Sequence, residues 1–165
     1  MSKQCQDADC GPVKGFSVGE KLFAQGTFNA AIITGAYAMA LQSPLLALGY
    51  VVFAIGSFTL LMRYTICTCC PHLLVAKDCL FLPASLAIKL ISKQRSGSLS
   101  GWEKFILYSA PLGTILIPVY WLLSSPILLA CFLLFSGACV FGLRLHFCKE
   151  CKTIVCPMNS QHTSG

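Results

Sequence analysis

The distribution of charge restricts this chain more than any other feature. Four stretches carry no Asp, Glu, Lys, Arg or His: Leu22–Gln42, Leu45–Met62, Phe105–Leu123 and Ile127–Leu143. At a rise of about 1.5 Å per residue, helices of this length reach across a hydrocarbon core of about 30 Å. Composition agrees, with 56% apolar and 11% charged residues and a mean hydropathy of +0.73. A soluble domain carries about 25% charged residues, so an ordinary soluble globule is excluded. Low-complexity disorder is excluded by the same apolar content, and no strand-like alternation suggests an outer-membrane barrel.

The expected fold is an all-α integral membrane protein with four transmembrane helices paired as two hairpins. The hairpins are expected to turn at Gln42-Ser43-Pro44 and Ser124-Ser125-Pro126. Proline suits the first position of a returning helix, where the backbone N–H has no partner to lose. Met1–Glu20 is polar and lacks the apolar core of a signal peptide. All twelve Lys and Arg residues, from Lys3 to Lys152, fall on the side opposite the two uncharged turns. The positive-inside rule then puts both termini and the central loop in the cytoplasm, in a prokaryotic inner membrane. The anionic inner leaflet accounts for the net charge of +6 without a nucleic-acid partner.

The organisation expected along the chain has five parts. Residues 1–21 form an N-terminal segment with Cys5 and Cys10, and 22–79 a first hairpin with its cysteine cluster. Residues 80–102 hold an interfacial helix over Leu80–Ile91 and a linker, 103–157 a second hairpin and cluster, and 158–165 a flexible tail.

The two hairpins resemble copies. Glu20-Lys21 is matched by Glu103-Lys104, Ser43-Pro44 by Ser125-Pro126, and Arg63 by Arg144, at a nearly constant separation along the chain. Arg63-x3-Cys67-x2-Cys70 and Arg144-x3-Cys148-x2-Cys151 follow the second helix of each hairpin. Two crossings per copy give the copies one orientation, related by a pseudo-two-fold axis along the membrane normal. Small residues at Ala36, Ala40, Ala138 and Gly142 suit close packing between helices.

The chain has eleven cysteines. Cys131 and Cys139 lie within the fourth helix and read first as small packing residues. The other nine fall on the side expected to be cytoplasmic, where thiols stay reduced and clustered cysteines more often bind metal or do redox work than form disulfides. Each half supplies a triad, Cys67, Cys70 and Cys79 in the first, Cys148, Cys151 and Cys156 in the second. Two Cys-x2-Cys turns complete a tetrahedral four-sulfur site suited to zinc or an iron–sulfur cluster.

Three arrangements satisfy this pattern. One site is shared at the axis by Cys67, Cys70, Cys148 and Cys151. Alternatively each triad holds its own ion, with Cys69, Cys5, Cys10, His72 or His146 as further ligands. In the third, the thiols bind nothing stably and relay thiol or metal exchange, with palmitoylation as a blander use. Arg63 and Arg144 anchor the helix ends at the interface and can also offset thiolate charge.

No Asp, Glu, Lys, Arg or His lies in the charge-free stretches, which argues against proton pumping, and the absence of histidine there argues against a haem held between helices. No phosphate loop, nucleophile elbow, paired carboxylates or zinc-protease motif occurs. The expected function is therefore a membrane protein with a cysteine-ligated metal centre, serving as an electron-transfer subunit or anchor for a cytosolic redox or metal-donating partner. The alternative is soft-metal or sulfur-species transport, with Cys131 and Cys139 on the path. A structural zinc site that staples the two halves is the third.

Overall fold

A computed structural model describes residues 15–66, 73, 78–90 and 100–147. The described residues form helices and no strand. Helix α1 spans Val18–Ala40, and α2 spans Pro44–Leu61 and continues as a π-helical turn over Met62–Ile66. Short α3 spans Ala84–Leu90. Helix α4 spans Gly101–Leu122, and α5 spans Pro126–Gly142 and continues as a second π-helical turn over Leu143–Phe147.

The first helix of each hairpin starts with a capping box. Ser17 Oγ accepts the Glu20 N–H at 3.3 Å, and Glu20 Oε2 accepts the Ser17 N–H at 2.6 Å. Ser100 and Glu103 repeat the exchange at 3.4 and 2.8 Å. These caps satisfy amides that would otherwise be orphaned, so both helices begin about one turn before the charge-free stretches and include Glu20-Lys21 and Glu103-Lys104. Each ends at a C-cap leucine, Leu41 or Leu123, and a short turn delivers Pro44 or Pro126 to the first position of the next helix. The central helix is shorter than the stretch Leu80–Ile91. Residues 80–82 bend, and Pro83 precedes its first turn.

Among the described residues, three helices are long and apolar enough to cross a membrane: Pro44–Thr65, Gly101–Leu122 and Pro126–Leu145. The α1 helix has the length, but Gln25, Thr27, Asn29 and Thr34 dilute its apolar character. Absence of charge is a weaker criterion than apolarity, and α1 meets only the first.

The bundle is apolar outside, with small residues mixed among larger apolar ones inside, consistent with an integral membrane protein. Leu45, Ile127, Tyr120 and Leu134 are largely exposed, whereas Ala24, Ala31, Ala38, Ala54, Ser57, Ser136 and Cys139 are buried. Water would penalise that outer surface, while lipid accepts it and leaves close packing of small residues to hold the helices together. Threonines in the helices return their hydroxyls to a carbonyl four residues back, as Thr34 does to Ala30 and Thr114 to Ala110, so they need no water.

Buried positions recur at the separations seen in the sequence. Ala24, Gly35 and Met39 of α1 correspond to Leu107, Pro118 and Leu122 of α4, in the register that pairs Glu20 with Glu103. Tyr50, Ala54 and Ser57 of α2 correspond to Phe132, Ser136 and Cys139 of α5, in the register that pairs Pro44 with Pro126. Packing runs mostly between hairpins. The α1 helix lies on α5, α2 lies on α4, and α1 also meets α2 and α4, while α4 and α5 touch sparsely. Gly35 and Pro118 touch where α1 crosses α4. A Cβ on Gly35 would stand 3.1 Å from Pro118 Cβ and 3.1 Å from the Tyr50 hydroxyl.

Pro118 also explains a tyrosine. In a regular helix the Thr114 carbonyl accepts from the N–H four residues on, and Pro118 has none. Tyr50 Oη donates to that carbonyl at 3.1 Å. In the sequence register that pairs Glu20 with Glu103, Pro118 matches Gly35, which retains its N–H. In the register that pairs Pro44 with Pro126, Tyr50 matches Phe132, buried in one cluster with Ala31. The hydroxyl occurs where the proline creates the need.

Candidate metal centre at the basic end of the bundle

The antiparallel hairpins put the ends of α2 and α5 beside the starts of α1 and α4. Gly142, at the end of α5, abuts the Phe23 ring near the start of α1, which places the second π-helical turn at this end with the first. The five basic residues within the described segments, Lys21, Arg63, Lys89, Lys104 and Arg144, belong to elements that begin or end here. Arg63 lies over the Tyr64 ring, 5.5 Å from its centroid, and both arginines are exposed. Each π-helical turn leads directly into a Cys-x2-Cys element.

One carboxylate organises the described part of this end. Asp78 accepts from Lys21 Nζ at 2.6 Å, from the Phe16 N–H at 2.9 Å and from the Cys79 N–H at 2.9 Å. It thereby ties Asp78 and Cys79 onto the start of α1. Gln25 extends the tie, its side-chain amide donating to the carbonyls of Leu80 and Phe81 at 3.2 Å each. Behind the clamp Cys79 is buried with Leu73 and Ala87, with Phe58 and Leu82 packed against them.

The hydrogen bond from Lys21 is the main cause holding the Asp78 carboxyl below its ordinary value of 3.8, with the two backbone N–H groups adding to it against partial burial. A carboxylate with a depressed folded pKa stabilises the fold above its unfolded pKa, and that contribution is lost as pH falls through the folded value. Thermal unfolding in detergent should therefore show wild-type stability falling, as pH drops below the ordinary carboxyl value of 3.8, more steeply than that of Asp78→Asn. Equal slopes would remove Asp78 from this role.

Of the sulfur and imidazole ligands expected from the sequence, Cys79 is the one whose side chain is described. Cys5, Cys10, Cys67, Cys69, Cys70, His72, Cys148, Cys151 and Cys156 lie outside the described residues, as does the His146 side chain. Among the described residues no group of three or more His, Cys, Asp or Glu side chains comes together. Within α5, Cys131 is exposed on the outer surface, while Cys139 is buried. The two do not share a lining. Gly35 meets the Pro118 ring of α4, Gly113 and Gly142 meet phenylalanine rings, and Ala40 is exposed.

Nothing in the local sequence pattern singles out Asp78 or Tyr50. Gln25 and Asn29, one helical turn apart in an apolar stretch, were the available signal for an amide-bearing face on α1. Comparison with protein families, with curated proteins and with solved structures finds no match.

Proposed function

We propose that this chain is a four-span integral membrane protein of two tandem hairpins that holds a cysteine-ligated metal centre, iron–sulfur or zinc, at its basic end. In this reading α1 is the fourth span, both termini and the central segment are cytoplasmic, and the halves are related by a pseudo-two-fold axis between α1 and α4. The observation that carries it is the pair of π-helical turns at one end of the bundle, each holding the arginine of an Arg-x3-Cys-x2-Cys run whose cysteines follow next in the sequence. Two such turns supply four thiolates from two symmetry-related exits, a donor set matched to zinc or iron–sulfur. The matched caps, turns and buried positions support the duplication. A centre of this kind at a reducing surface serves an electron-transfer subunit or a membrane anchor for a soluble redox partner.

Anaerobic purification of the full chain, followed by metal and sulfide analysis, visible absorption and EPR, tests this. The expected result is bound iron with sulfide, or bound zinc, in stoichiometric amount. Cys67→Ser, Cys70→Ser, Cys148→Ser and Cys151→Ser should each lower occupancy at least about tenfold, since removal of even a supporting outer-shell partner costs about 10–100-fold in metal affinity. Cys131→Ser should leave occupancy unchanged. A metal-free wild type, or thiols found oxidised in pairs, overturns the proposal.

A further inference from the structure

Each half starts its first helix with a Glu-Lys pair, Glu20-Lys21 or Glu103-Lys104, behind a serine cap. In the first half the chain supplies that lysine with an anion, since Lys21 Nζ donates to Asp78 at 2.6 Å. The second half has no residue to do the same after its cysteine pair, because 151–165 contains neither Asp nor Glu. Lys104 is exposed, and the cap amides of Ser100 and Glu103 beside it are already bonded. An anion arriving here therefore meets side chains and not a bare helix terminus.

Lys104 has company. The first π-helical turn, which holds Arg63, packs against both α3 and α4, and Lys89 lies in the last turn of α3. Arg63, Lys89 and Lys104 are all exposed, so three touching elements each present a cation. The surface among them is apolar. The Trp102 and Phe105 rings stack at 5.5 Å and are 69% and 60% exposed, and Leu86 and Ile88 of α3 are exposed as well. Tryptophan at the end of a membrane helix sits at headgroup level, which puts Lys104, two residues on, at the depth of lipid phosphate.

We infer that Arg63, Lys89 and Lys104 bind the phosphate of an anionic phospholipid. The lipid phosphate takes at Lys104 the place that the Asp78 carboxylate takes at Lys21. Charge selects an anion, and the exposed rings and aliphatic side chains select one that carries acyl chains over free phosphate. Basic surfaces between membrane helices hold such headgroups on the cytoplasmic side. A site of this kind saturates, whereas general attraction to an anionic leaflet does not. It rests on α4 crossing the membrane and needs no metal, so it stands or falls separately from the metal centre.

Native mass spectrometry of the full chain in detergent tests this, after chelation of any metal. The protein is titrated with phosphatidylglycerol or with phosphatidylcholine of the same acyl chains. Saturable retention of phosphatidylglycerol in preference to phosphatidylcholine is expected, and it should weaken as ionic strength rises. Arg63→Gln and Lys104→Gln should each weaken it about fivefold, which corresponds to about 1 kcal/mol per basic residue near the surface. Lys104→Arg should retain it, and inorganic phosphate should not displace the lipid. Circular dichroism melts identify any variant that fails to fold, and the preference of the wild type between the two lipids needs none of them. Equal or unsaturable retention of both lipids overturns the inference. Wild-type affinity in folded Arg63→Gln and Lys104→Gln, or displacement by inorganic phosphate, does so too.

Discussion

Gly35→Leu is expected to open the bundle at its tightest crossing. The added side chain starts 3.1 Å from both Pro118 Cβ and the Tyr50 hydroxyl, and the proline ring is fixed to backbone that has little room to yield. Overpacking of a filled core costs about 1–3 kcal/mol, and here the displaced hydroxyl also leaves its carbonyl. The loss should fall at or above the upper end of that range. Gly49→Leu is the control, since nothing stands within 4 Å of a Cβ there, and its effect should stay within about 0.5 kcal/mol. Denaturation of both variants in mixed micelles measures the difference. Similar midpoints for the two would show that α1 and α4 do not meet at Gly35.

The second large effect is conditional on a proline. Tyr50→Phe removes the donor to the Thr114 carbonyl, and an unsatisfied buried acceptor costs about 1–3 kcal/mol. Pro118→Ala restores an N–H four residues after Thr114, at the expense of contact with Gly35. In the double variant the helix supplies its own donor, so loss of the hydroxyl should matter far less. The cycle should give a coupling of about 1 kcal/mol or more, beyond the roughly 0.3–0.5 kcal/mol scatter of independent sites. Additive effects would mean that the tyrosine does not answer the proline.

Both predictions rest on features that the sequence shows only in part. Ser43-Pro44 and Ser125-Pro126 announce the hairpin turns because proline is tolerated at few helical positions, and observed helix starts coincide with them. The starts of α1 and α4 lie further upstream than the charge-free stretches, because side-chain caps at Ser17 and Ser100 carry charged first turns into the helix. The partnership of Tyr50 with Pro118 joins residues far apart in the chain and follows from which faces meet, which local patterning does not encode. At the basic end, the Cys-x2-Cys pairs are plain in the sequence. The clamp on Asp78 was not, since a lone aspartate in a loop has no signature until Lys21, Phe16 and Cys79 converge on it.

The unequal contacts among the helices bear on how such a chain comes to be made. Since α4 and α5 scarcely touch, the later half has little to hold its shape until it docks on the earlier one, α4 against α2 and α5 against α1. The half that leaves the ribosome first thus serves as the mould for the half that follows, and an early stall in translation would strand in the bilayer a mould with nothing cast in it.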